Sequence, residues 1–120
     1  MRLTRNQVVR NQVVDAIEAV MAQGCLSINE QGSCYYERPD NPNINCVVGK
    51  LLTPEQRKVA DATKSDTGIE WVNHEHGLFD EEDVPLLMEL QSAHDLAKDL
   101  DHFEKEAKRV VNRYFDESTN

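Results

Sequence analysis

The chain lacks most of the sequence marks of specialised chemistry. It has no run of eighteen apolar residues, so no membrane-spanning helix is expected. No apolar stretch follows Arg2 and Arg5, because Asn6, Gln7 and Asn11 interrupt it, so no secretory signal is expected either. Cysteine is scarce and odd in number, at three, so the thiols cannot all pair within the chain. Free thiols in a reducing cytoplasm are the expectation. Cys25, Cys34, Cys46, His74, His76 and His94 are the metal-ligand types present, but no pair has the close spacing of a structural zinc site. Neither metal nor cofactor is expected. A glycine-rich phosphate loop, a Gly-x-Ser-x-Gly elbow and a His-Glu-x-x-His helix are all missing.

What is present fits one small domain, residues 1–120. A chain of 120 residues can bury a core without disulfides or metals. Apolar residues make up 39% and charged residues 29%, a globular composition. The formal net charge is −9, and residues 80–120 hold twelve acids against five bases. Such a surface repels phosphate backbones, so direct nucleic-acid binding is not expected. A protein partner with a basic surface is. Glu89, Asp99, Asp101, Glu104 and Glu106 are the candidate partner-binding carboxylates.

Apolar spacing gives the architecture. Arg5–Val9 repeats as Arg10–Val14, and a five-residue shift turns a helix by about 140°, so only the second copy is in register. Val9, Val13, Ile17 and Val20 then line one face, with Thr4 as N-cap and Gly24 just past the end. Residues 25–45 turn polar and turn-rich around Cys34-Tyr35-Tyr36, which predicts a short β-hairpin around residues 33–46. Residues 46–52 are apolar except for Lys50 and read as a buried helical segment. Thr53-Pro54-Glu55-Gln56 has the form of a capping box. That helix is expected to run to about Ala62, and Ser65-Asp66-Thr67-Gly68 to break it. Ile69, Trp71, Val72, Leu78 and Phe79 are then expected in the core, through one helical turn ended at Gly77. Asp80–Asp83 supplies acids before the next helix, which carries Pro85 in its first turn. The stripe Leu86, Leu90, Ala93, Ala97, Leu100, Phe103, Ala107, Val110, Tyr114 is one long helix or two, with Asp101 and Glu104 as a capping box if it breaks there. The fold class is mainly α, a small helical domain with that one hairpin.

Two groups carry reactive chemistry. Asn45 as N-cap places Cys46 in the first turn of a helix, where thiolates are stabilised. His94 is a candidate base, and Asp95 follows it. Adjacent helical residues point about 100° apart, which argues against Asp95 orienting the same imidazole. Val47, Val48, Leu51 and Leu52 surround Cys46, so burial in the core is the stronger reading. Gly49 in a buried helix implies close approach of another segment.

Cys34 and Tyr36, then Cys46, Val48, Gly49 and Leu51, then Leu90, Gln91, His94 and Asp95 together resemble a family of small bacterial and phage proteins with no assigned activity. Its pattern is Cys-x-Tyr, Cys-x-Val-Gly-x-Leu and Leu-Gln-x-x-His-Asp. The chain departs from it in two places. Glu37 stands where the family has Arg after Tyr, and Leu52-Thr53-Pro54-Glu55 stands where it has Ile-Pro-Asp-Glu. The resemblance implies a mostly helical intracellular domain from a phage or mobile element, and it supplies no reaction. Cys34, Tyr36, Cys46, Gly49, His94 and Asp95 are the expected structural motif.

The leading expectation is a small acidic binding or regulatory protein, not an enzyme. It would act in the host cytoplasm by protein–protein contact, inhibiting a host nucleic-acid-binding or defence protein. The alternatives are a cysteine-dependent hydrolase or transferase using Cys46 and His94, and a homo-oligomer subunit that buries the Leu86–Tyr114 stripe against another copy.

Overall fold

The apolar spacings fold into helices that share one core. The structure is a computed structural model and describes residues 6, 8–28, 35–38, 40–41, 43–64 and 69–115. Its elements in chain order are α1 (Arg10–Gln23), α2 (Val47–Lys50), α3 (Pro54–Lys64), α4 (Ile69–His76), a 3-10 turn (Glu81–Asp83), α5 (Val84–Asp95) and α6 (Leu100–Phe115). α5 is central and packs on α2, α4 and α6, while α1 lies on α2 and α6 and α3 lies on α4. Cys34, Thr4 and the predicted break at Ser65–Gly68 lie outside the described residues.

Helix α1 buries Val13, Ala16, Ile17 and Val20, as the in-register repeat requires. It begins later than expected. Val9 is the N-cap and is exposed, so the cap assigned to Thr4 is corrected. Of the first copy of the repeat, Asn6, Val8 and Val9 lie outside the helix. Asn6 instead bridges to Phe79, donating its backbone N–H to the Leu78 carbonyl at 2.7 Å and its amide to Gln56 Oε1 at 2.9 Å. At the other end Gly24 takes φ 86°, a left-handed conformation that favours glycine, and donates to the Met21 carbonyl.

The capping box at α3 forms as its sequence demands. Gln56 N–H donates to Thr53 Oγ1 at 3.2 Å, and Thr53 N–H donates to Gln56 Oε1 at 2.9 Å. The stripe from Leu86 breaks into two helices, and α5 ends at Asp95. The cap at the break is not Asp101 with Glu104. Asp99 accepts the His102 N–H at 2.8 Å, and His102 Nδ1 accepts the Lys98 N–H at 3.0 Å. Leu86, Leu90, Phe103, Ala107 and Val110 are buried within the chain. These five residues of the stripe pack inside the chain, while Ala93, Ala97, Leu100 and Tyr114 are half-buried.

The predicted β-hairpin around 33–46 is corrected. Among the described residues there is no β-strand, and Arg38 and Asn41 form only an isolated bridge. The polypeptide turns too often for a ladder. Asn41 N–H returns to the Arg38 carbonyl, Ile44 N–H to the Asn41 carbonyl, and Asn43 N–H to Asn41 Oδ1. Pro39 and Pro42 also remove two backbone donors.

Helix α2 lies hard against this segment at one point. A Cβ built on Gly49 would sit 2.3 Å from the Tyr36 carbonyl oxygen, a backbone atom that cannot swing aside. In an open helix Gly→Ala stabilises by about 1 kcal/mol; here the sign reverses. Gly49→Ala is expected to lower unfolding stability by about 2–3 kcal/mol, as overpacking does. Urea denaturation of the variant measures it, and an unchanged or raised midpoint would show that the contact is not close.

Candidate functional site

Tyr36 is fully buried and meets Gly49 and Gln91 of the motif. Its hydroxyl accepts from Gln91 Nε2 at 3.1 Å, and Gln91 Oε1 accepts the Ile69 N–H at 3.3 Å. Its carbonyl accepts from Asn45 Nδ2 at 3.0 Å, beside Gly49. Its N–H donates to Asp61 Oδ1 and the Glu37 N–H to Asp61 Oδ2, each at 2.9 Å. One carboxylate from α3 thus holds two successive backbone donors. Such charge-assisted bonds contribute about 1.5–3 kcal/mol each.

Gln23 treats Asn45 in a similar way. It accepts the Asn45 N–H at 3.1 Å and donates to the Asn45 carbonyl at 2.9 Å. Lys50 Nζ reaches Asn45 Oδ1 at 3.0 Å and the Asn43 carbonyl at 3.1 Å. Burial, and then the nearby Arg57 guanidinium, lower the pKa of Lys50. Arg57 itself donates to the Gly49 carbonyl at 2.7 Å and lies 3.6 Å from Glu37.

Cys46 is the N-cap of α2, a role the sequence assigned to Asn45. Its Sγ accepts the Gly49 N–H at 3.3 Å, and the residue is fully buried. His94 is fully buried as well. Its Nε2 accepts the Ser27 N–H at 3.1 Å, and its Nδ1 is 2.9 Å from Asp95 Oδ1. An acceptor at Nε2 and a carboxylate at Nδ1 assign the ring hydrogen to Nδ1. The expectation that Asp95 could not orient this ring is corrected. Asp95 is the last residue of α5, and its carboxylate bends back to the imidazole instead of following the helix face. The geometry is that of an oriented histidine whose second nitrogen is already taken by backbone. It anchors the loop at Ser27, whose Oγ in turn donates to the Tyr35 carbonyl at 2.9 Å. A general base needs that nitrogen free and facing a substrate, and neither Cys46 nor His94 faces solvent.

Of the five carboxylates expected to form a partner surface, four are engaged within the chain. Glu89 binds Arg113 and accepts the Tyr114 hydroxyl at 2.6 Å. Asp99 caps α6. Glu104 pairs with Lys108 at 3.1 Å and Glu106 lies 3.6 Å from Arg109. Asp101 is exposed. α6 as a whole carries three acids and four bases. The negative charge lies elsewhere. Residues 65–97 hold nine acids and no lysine or arginine, and the rest of the chain balances at thirteen against thirteen. The whole net charge therefore falls on the stretch that contains α4, the 3-10 turn and α5. In α4, Ile69, Val72 and Asn73 face the core, while Glu70, Trp71, His74 and Glu75 are exposed, so the expected burial of Trp71 is corrected: it lies on the helix face opposite the core. Glu81 and Glu82 are exposed in the turn. The sequence signal for this surface was the gap in basic residues from Lys64 to Lys98, which a count over the last third blurs.

No protein-family model matches the chain, and neither a curated protein nor a solved structure matches it. Among the described residues no group of three or more His, Cys, Asp or Glu is placed to hold a metal ion. No helix there is long and apolar enough to cross a membrane.

Two measurements check this site. Native chain treated with a thiol reagent and mapped by mass spectrometry is expected to show labelling at the partly exposed Cys25, while Cys46 is modified only as fast as the chain unfolds. Rapid native labelling of Cys46 would reopen the nucleophile reading. The second concerns Asp83, whose pKa is raised first by burial and then by Asp80 and Glu82. A carboxyl raised by folding favours its neutral form in the native state. Its contribution is full at low pH and is lost as pH rises through the raised value. Asp83→Asn is thus expected to match the parent below about pH 3. At neutral pH it should melt higher by about 2 °C, a small gain because the site is largely solvated. Thermal melts across that range report the difference, and a lower neutral-pH Tm in the variant would contradict it.

Proposed function

We propose that the protein is a small non-catalytic binding and regulatory protein that acts by contact with a basic surface on another protein. The supporting observation is the partition of charge: a 33-residue stretch, 65–97, carries the entire net −9, and its exposed residues include Glu70, Glu75, Glu81 and Glu82. Charge arranged this way steers a basic partner and rejects phosphate backbones. Taken with the resemblance to small phage and bacterial proteins, the partner class is a host nucleic-acid-binding or defence protein. Covering its basic groove would inhibit it, in the cytoplasm of the host. The hydrolase reading has no comparable support, since Cys46 and His94 are buried and both imidazole nitrogens are engaged.

The test begins with capture of partners from host lysate on the immobilised chain, followed by measurement with the purified partner. Affinity is expected to fall steeply as salt rises. Glu70→Gln combined with Glu75→Gln should weaken binding about tenfold at low salt, because two charges at the contact are lost. Glu104→Gln combined with Glu106→Gln should change it less than about twofold, as exposed ion pairs contribute little. Salt-independent binding, or the reverse ranking of the two variants, would sink the proposal.

A further inference from the structure

Trp71 is the only tryptophan in the chain, and it stands 45% exposed. Burying a large aromatic is among the most favourable steps available to a small core, yet α4 turns this one outward. On the helix Trp71 lies one turn from both His74 and Glu75 and next to Glu70. The His74 ring rests against the indole, with centroids 5.4 Å apart and planes tilted by 31°. The indole is thus braced on a helix whose own charged residues, Glu70 and Glu75, are carboxylates, inside a stretch with no lysine or arginine from 65 to 97.

Charge complementarity decides what would cover such a face. An apolar partner would have to desolvate Glu70 and Glu75 without pairing them, which is costly. A second copy would bring the same carboxylates against themselves if it docked through the same face. Nucleic acid is repelled. A cationic segment satisfies the carboxylates, and the indole separates one cation from another. Guanidinium is planar and weakly hydrated and stacks on an aromatic face, whereas ammonium is compact and strongly hydrated.

We propose that the outward face of α4 docks an arginine-rich segment of the partner, with one guanidinium stacked on Trp71 and flanking arginines paired with Glu70 and Glu75. This rests on the basic-partner reading and narrows it from basic to arginine-rich.

The test titrates the full chain with a short peptide of alternating arginine and glycine and with its lysine twin, by calorimetry and by the fluorescence of Trp71. At low salt the arginine peptide is expected to bind about two- to fivefold tighter, the range of an exposed cation–π contact. It should also shield Trp71 from acrylamide quenching where the lysine twin does not. Trp71→Leu should bring the two peptides to equal affinity, and Trp71→Tyr should keep part of the preference. The quenching arm uses the unaltered chain, so it stands even if a variant fails to fold. Equal affinities with no difference in shielding would overturn the arginine proposal and leave the basic-partner reading in place. No salt-sensitive binding of either peptide would overturn both.

Discussion

Tyr36 sets its carbonyl oxygen where a side chain on residue 49 would have to be, and much of the remaining structure is arranged around that contact. Only glycine allows the backbone of α2 to come so near. Once there, α2 presents Cys46 to cap its own first turn and offers the Gly49 carbonyl to Arg57. The phenol then reaches α5 through Gln91, and Asn45 ties the Tyr36 carbonyl to the start of α2. A short irregular segment is thereby joined to three helices. Tyr36, Cys46, Gly49 and Gln91 occupy these joints.

Electrostatics divides the molecule differently. The helices at the N- and C-terminal ends of the chain carry both signs, and on α6 those charges pair with one another. The stretch from 65 to 97 carries one sign only. Asp83 already senses the crowding, with its carboxyl held above the usual range by burial and by Asp80 and Glu82. Like charges kept together against their own repulsion form a surface that a cationic partner would relieve.

What could be read from the sequence depended on range. The Thr53–Gln56 box, the Val13–Val20 face and the turn at Gly24 are set by residues three or four apart, and each formed. Gly49 was legible as a close approach and the segment around Tyr36 as packing on its helix, although the atom that approaches, the Tyr36 carbonyl oxygen, was not. The hairpin failed because strand pairing was inferred from turn residues, while the segment combines scattered backbone bonds with side-chain partners from distant helices. Gln23 lies 22 residues before Asn45, and Asp61 lies 25 residues after Tyr36. Nothing local marks them. The contact between Asp95 and His94 was missed because ideal helix angles were applied to the last residue of a helix, where they no longer hold. The pairing of Glu104 and Glu106 with bases one turn along α6, and of Glu89 on α5 with Arg113 on α6, is invisible to a count of acids.

Asp61 and Gln23 have a consequence for how the molecule comes apart. A strand can unzip from its end, one ladder bond after another. In the segment from 35 to 46, the amides of Tyr36, Glu37 and Asn45 are instead held from the side by α3 and α1. These amides gain freedom when a helix lets go, so hydrogen exchange at Tyr36 and Glu37 should follow the opening of α3 and not local fraying. An irregular loop of this kind has the cooperativity of the helices that grip it.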